Sequence, residues 1–217
     1  MIEENVKKLL DFVAHAPHPV KIVAATKTRT AEEINELAYY GITAIGENRV
    51  QELLSKYDGL RMKEIHFIGA LQTNKVKYIA DKVCMIQSVD RSELIREIEK
   101  RCAALGKVMD VLIEVNIGQE ASKSGCAVAD LPALAEEVAA LPHMRLKGLM
   151  SVLPIDAEDS LYDGMKKLFD KTAARYQSVE YLSVGMSGDY EKAVMHGANM
   201  IRPGSLLFGA RTYPARA

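Results

Sequence analysis

Lys27 closes a hydrophobic run, Val20-Lys21-Ile22-Val23-Ala24-Ala25-Thr26-Lys27, and a helix start follows at Thr30. A strongly hydrated ammonium is out of place at the C-terminal end of a buried strand. In β/α proteins that end of the strands also carries the active site. A desolvated lysine there can give up its proton and attack a carbonyl, forming a Schiff base. The competing reading is a stem packed on the sheet rim with its head in water. Two stretches near the other end of the chain bear on the choice, Gly185-Met186-Ser187-Gly188-Asp189 and Arg202-Pro203-Gly204-Ser205. Each supplies a glycine for close backbone approach and a serine for an extra donor, ahead of helix-prone sequence. Either alone reads more readily as a helix cap. Together they read as a phosphate cradle. Arg202 ends the last apolar run and points to the same rim as Lys27, or else pairs with a surface carboxylate.

These residues need a scaffold, and the chain alternates between strand-like and helix-like runs with little between them. The strand candidates are Lys21–Thr26, Ala44–Gly46, Ile65–Gly69, Met85–Ser88, Val111–Asn116, Leu146–Met150, Tyr181–Val184 and Met200–Arg202. Most are short and apolar on both parities, which suits a parallel sheet covered on both faces. Thr30-x-x-Glu33 and Asp90-x-x-Glu93 have the form of capping boxes, and Pro132 falls in the first turn of a helix. Gly41, Gly59, Gly106 and Gly197 sit where helices should stop. Strand–helix alternation forces right-handed crossovers, and about eight strands close a barrel. The expected fold is therefore α/β, a single TIM-type (β/α)8 barrel over residues 1–217. An open doubly wound sheet is the alternative, and its usual GxGxxG or Walker loop is missing.

Composition narrows the setting. The 217 residues are 48% hydrophobic and 26% charged, which permits a full core and argues against disorder. A net charge of −1 leaves no footprint for nucleic acid or an anionic membrane. The amphipathic start of the chain lacks the apolar core of a signal peptide, and no run is long enough to span a bilayer. Cys84, Cys102 and Cys126 are odd in number and outside metal spacing, as expected in a reducing cytoplasm without a disulfide framework or zinc site. His15-x-x-His18 flanks Pro17 and reads as a solvated turn. His66 reads as a satisfied core histidine or a pocket residue, and Asn48 as a site residue or a helix cap. Ser122-Lys123-Ser124-Gly125 reads as a mobile flap or a plain loop.

A Schiff-base lysine, a phosphate cradle and a rim arginine together meet the needs of pyridoxal 5′-phosphate. Beyond that, Val23-Ala24-Ala25-Thr26-Lys27-Thr28, Ile45-Gly46-Glu47-Asn48, His66-Phe67-Ile68-Gly69 and Leu71-Gln72-Thr73-Asn74-Lys75 resemble the pyridoxal phosphate homeostasis proteins. Ser122-Lys123-Ser124-Gly125, Gly148-Leu149-Met150 and Gly185-Met186-Ser187 extend the resemblance over nearly the whole chain, in order. It implies a barrel like the N-terminal domain of alanine racemase. It implies that Lys27 forms the aldimine, that Arg202 faces the pyridine nitrogen, and that Ser187, Gly204 and Ser205 hold the phosphate, with Asn48 near the ring. Gly188 and Pro203 depart from the family pattern, which has an acidic residue after Gly-Met-Ser and a branched apolar one after the arginine. Pro203 removes one backbone donor near the phosphate.

Three functions remain open at this point. A racemase needs a second base on the opposite face of the cofactor, and a barrel that consumes the chain leaves no second domain to supply it. An aldolase on a phosphorylated substrate fits the phosphate loops but wants an acidic relay beside Lys27. A cofactor carrier, expected as a monomer serving apo pyridoxal phosphate enzymes, needs only an accessible aldimine and no metal. The expectation is the carrier.

Overall fold

A computed structural model describes residues 2–120 and 123–209. Eight strands pair in parallel, each with its neighbour in sequence, and β1 closes on β8. The strands are β1 (Lys21–Ala25), β2 (Ala44–Glu47), β3 (Glu64–Phe67), β4 (Met85–Val89), β5 (Met109–Glu114), β6 (Met144–Met150), β7 (Tyr181–Ser183) and β8 (Met200–Ile201). The closed barrel is thus the expected fold, and the open sheet is excluded. Strand ends move by one or two residues from the expected ones, as the ladder gives way to loops. Arg202 itself falls just past β8, though its N–H still donates to Gly185 O at 2.8 Å.

The helices outside the barrel are α1 (Ile2–Ala14), α2 (Ala31–Tyr39), α3 (Val50–Lys56), α4 (Val76–Ile79), α5 (Ser92–Leu105), α6 (Leu131–Ala139), α7 (Asp159–Arg175), α8 (Tyr190–Met195) and α9 (Ser205–Phe208). The box at Thr30 is complete: its Oγ1 accepts from Glu33 N at 3.3 Å, and Glu33 Oε2 accepts from Thr30 N at 2.8 Å. The expected box at Asp90 does not form. Arg91 is the cap residue of α5 and makes no side-chain cap bond, because Asp90 turns instead to the Arg91 guanidinium at 2.5 Å. Gly41, Gly106 and Gly197 take positive φ at helix ends, whereas Gly59 ends a short 3-10 turn without it.

Two apolar cores result. One lies between the barrel and its helices, around Ile34, Leu37, Leu53, Ile86 and Ile98, all fully buried. The other fills the barrel with Val23, Ala44, Met85, Leu112, Met150 and Met200. Side chains two apart share a strand face, so the inward set also contains His66, Gln87, Ser183 and Arg202, all buried. Among the described residues no helix is long and apolar enough to cross a membrane.

Candidate functional site

The C-terminal ends of the strands surround a pocket of about 450 Å³, bordered by Lys27, Asn48, Ser187, Arg202, Gly204 and Ser205 among others. The six residues that the resemblance assigns to the cofactor therefore lie on one cavity. Two glycines make the walls possible. A Cβ on Gly69 would stand 2.2 Å from Asn48 O, so only glycine lets the Asn48 backbone approach β3. Gly185 sits at φ +105°, and a Cβ there would stand 2.8 Å from Ala193 Cβ. Glycine at 185 therefore lets the Ser187 loop leave β7 beside α8.

Lys27 follows β1 on a segment fixed from behind. Thr26 N–H donates to Gly46 O at 3.1 Å, and the Thr26 hydroxyl donates to Glu47. Lys56, from α3, donates to Thr26 O at 3.0 Å and Arg29 O at 3.2 Å. The same ammonium lies 2.7 Å from Glu47 and 3.2 Å from Glu52. Glu52 also accepts from the N–H of Thr28, whose φ of +68° is unusual for a β-branched residue. Glu47 is wholly buried rather than on the rim; burial pushes its carboxyl up, and Lys56 and Thr26 pull it back. Sequence motifs flagged Glu47 only as a neighbour of Asn48, and nothing local marked Lys56.

Arg202 is 2% exposed, and desolvation lowers its guanidinium to about 10, still charged at neutral pH. Its Nη1 donates to Ser183 O at 2.8 Å and Ser183 Oγ at 2.5 Å; its Nη2 donates to Ser151 O at 2.8 Å. A guanidinium carries five N–H donors, so two are left uncommitted among the described residues, on a side chain that lines the cavity. Among the described residues no surface carboxylate pairs with it. The nearby carboxyl is Glu114, buried at the end of β5 and pushed up to about 7 by burial, against the pull of Arg202. One of its oxygens is buried without a partner among the described residues.

Ser187 joins the two Gly-Ser loops. Its Oγ accepts from Gly204 N at 2.9 Å and from Leu206 N at 3.1 Å, so it caps α9 from the neighbouring loop. Pro203 offers its carbonyl to Ala25 N at 2.8 Å, which fastens the same loop to β1. Ser205 is exposed at the first position of α9.

The remaining candidates lie away from the pocket. His66 faces the barrel interior with its ring bonded to Gln87 at 2.8 Å, a satisfied core histidine. His18 bonds to Ala198 O at 3.0 Å and His15 is exposed. Lys123 pairs with Glu120, while Ser122 of the expected flap lies outside the described residues. Glu64, His66 and Cys84 bring ligand-type atoms within 4.8 Å of one another. The Lys21 ammonium already occupies Glu64 at 2.5 Å, and burial keeps the Cys84 thiol protonated.

The alanine racemase N-terminal domain model matches residues 1–212. The pyridoxal phosphate homeostasis protein of Aquifex aeolicus is 41% identical, over 97% of this chain and 95% of that protein. PipY of Synechococcus elongatus, solved both without PLP and with PLP bound, is 28% identical with TM-scores of 0.88 and 0.86. The match covers 96% of this chain and all of PipY. D-threonine aldolase of Filomicrobium marinum shares the fold at 19% identity and a TM-score of 0.81, and this chain spans 63% of it. Strand order, barrel closure and these matches together establish that the chain belongs to the alanine racemase N-terminal domain family and, within it, to the pyridoxal phosphate homeostasis proteins.

Proposed function

We propose that this protein binds pyridoxal 5′-phosphate through Lys27. On this reading it holds and delivers the cofactor in the cytoplasm, as a single-domain monomer, without turning over amino acids. The observation that carries the reading is the convergence on one pocket of Lys27, two uncommitted Arg202 donors and the paired loops at Ser187 and Gly204–Ser205. The relatives' name and the PLP-bound PipY structure support the same ligand.

When bound, pyridoxal phosphate supplies an aldehyde that condenses with an amine, releasing water. Lys27 brings that amine. Arg202 donates to the ring nitrogen and, as a permanent cation, keeps that nitrogen unprotonated; this weakens the ring as an electron sink. Ser187, Gly204 and Ser205 hold the phosphate, and Asn48 borders the ring. The other carboxylates on the pocket are Asp156, exposed, and Asp189. Asp189 is committed to the Tyr162 hydroxyl at 3.0 Å and to Met186 N at 2.7 Å. No rigid second base therefore faces Lys27 among the described residues, which favours a carrier over a racemase.

The test is a visible-spectrum titration with pyridoxal phosphate. Lys27→Ala should abolish the visible band with unchanged circular dichroism; a retained band would assign the amine to another lysine. Replacing Ser187 and Ser205 together should weaken pyridoxal phosphate at least tenfold, since each lost bond to a charged group is worth about 1.5–3 kcal/mol. Unphosphorylated pyridoxal should hardly respond, and equal losses would argue against a phosphate site here. Efficient racemisation of amino acids without transfer to an apo enzyme would sink the carrier reading.

A further inference from the structure

Arg202 is the upper end of a hydrogen-bonded chain that runs through the apolar interior of the barrel. Its Nη1 donates to Ser183 Oγ at 2.5 Å, and Ser183 Oγ donates to Gln87 Oε1 at 2.7 Å. Gln87 Nε2 reaches His66 Nδ1 at 2.8 Å and Met200 Sδ at 3.3 Å. His66 Nε2 lies 3.5 Å from Glu64 Oε2, the longest link, and Lys21 closes the chain on that oxygen at 2.5 Å. Ser183, Gln87 and His66 are fully buried.

The polarity of this chain is determined. Turning the Gln87 amide over would set its carbonyl against the Met200 sulfur. It would also demand a proton on His66 Nδ1, leaving the Nε2 lone pair against the Glu64 carboxylate. Only the observed setting gives every group a complementary partner. All donors from Arg202 to His66 then point the same way, toward Glu64. Burial holds His66 neutral, and the His66 N–H with Lys21 holds Glu64 down at about 2, so the lower end stays anionic. Nothing in the apolar packing of the barrel calls for a glutamine at its centre; the chain does.

We propose that Ser183 and Gln87 are positioning residues for Arg202, fixing the plane of its guanidinium so that the two remaining N–H donors stay on the pocket. This rests on the reading that pyridoxal phosphate occupies the pocket with its ring nitrogen toward Arg202. A guanidinium held by two bonds rather than three swings further about its mean position and presents those donors less constantly, and the ring nitrogen then exchanges its partner for water more often. Ser183 O and Ser151 O, each at 2.8 Å, locate the two terminal nitrogens, and the Ser183 hydroxyl, turned by Gln87, adds the shortest bond that holds them in one plane.

Gln87→Met keeps the length and volume of the side chain while removing both polar atoms. Ser183→Ala breaks the same chain next to Arg202 and serves if the first variant fails to fold. In the ligand-free protein, the Arg202 Nε–H resonance should move toward the free-arginine position in both variants and exchange with solvent at least tenfold faster. In the loaded protein, pyridoxal phosphate should dissociate roughly tenfold faster, the loss of about one charged hydrogen bond. The pH profile of the visible band should shift as the ring nitrogen gains access to protons. Ser183→Thr, which keeps the hydroxyl, should restore wild-type values. An unchanged Arg202 resonance and exchange rate in both variants would overturn the proposal. So would a disordered Arg202 with unaltered dissociation and pH profile. Wild-type protein that never takes up pyridoxal phosphate would sink the cofactor reading by itself, with the Arg202 resonance still deciding whether Ser183 and Gln87 hold the guanidinium.

Discussion

Residues 26–29, which carry Lys27, and residues 152–156 border the same pocket and are built on opposite principles. The first segment is held by a wholly buried carboxylate, a lysine of which 8% is exposed, and bonds to three of its own backbone groups. The second has no backbone–backbone hydrogen bond among the described residues between Ser151 N, which donates to Ser183 O at 3.1 Å, and Leu161 N, which donates to Glu158 O at 3.1 Å, and side chains reach its backbone only at its two edges, Arg202 at Ser151 O and Lys192 at Ala157 O. Its Ile155 is 93% exposed and its Asp156 takes a φ of +58°. The group that must meet the ligand in one geometry is thus on the ordered side.

The largest effect should come from the ordered side. Lys56→Met strands a buried carboxylate and should cost roughly 3–5 kcal/mol by urea denaturation at neutral pH. The double change Glu47→Leu with Lys56→Met should return much of it. If the single variant unfolds like wild type, the contrast between the two segments has no energetic content.

Glu114 tests where the second segment begins, since it pairs in register with Met150. Its carboxyl is pushed up to about 7 from an ordinary 4.5. The folded protein therefore keeps a proton that the unfolded chain gives up. Stability from this group is complete below pH 4.5 and is lost as the pH rises through about 7. Glu114→Gln should accordingly gain on wild type across that window, by up to about 3 kcal/mol. Parallel stability curves for the two proteins would refute the shift.

The smallest effect belongs to the open side. Ile155→Ser should change stability by less than about 0.5 kcal/mol, because the side chain loses almost no buried area. A loss above 1 kcal/mol would mean that the Ile155 side chain is packed, unlike its exposed setting here.

The site's visible half was legible because Lys27, Arg202 and the two Gly-Ser loops all fall at strand ends, where position alone gives the rim. Barrel closure was legible from the count of strand–helix units. The supporting half was not. Glu47 and Lys56 are nine residues apart on a strand and a helix, and only folding brings them to 2.7 Å. Gln87 sits in Met-Ile-Gln-Ser-Val, apolar on both parities but for itself and its neighbour. Nothing local says which parity faces the interior until eight strands close around it. Asp90 misled for a simpler reason: a charged neighbour, Arg91, outcompetes a backbone amide for its carboxylate.

The barrel is zipped unevenly. β7 and β8 share one register pair, Ser183 with Met200, and β8 meets β1 over two. Backbone bonds carry the join past that pair, from Asn199 N to Leu182 O, Val184 N to Met200 O and Arg202 N to Gly185 O, and side-chain bonds from Arg202 to Ser183 O and Ser151 O reinforce it. The join at the shortest strands therefore carries a buried cation beside its backbone bonds, and that cation lines the pocket. A ligand spanning Lys27 on one side of the join and Ser187 on the other would brace it, raising the free energy of opening by mass action. Occupancy then governs the lifetime of the closed ring, and amides of β7 and β8 should report it as slowed hydrogen exchange.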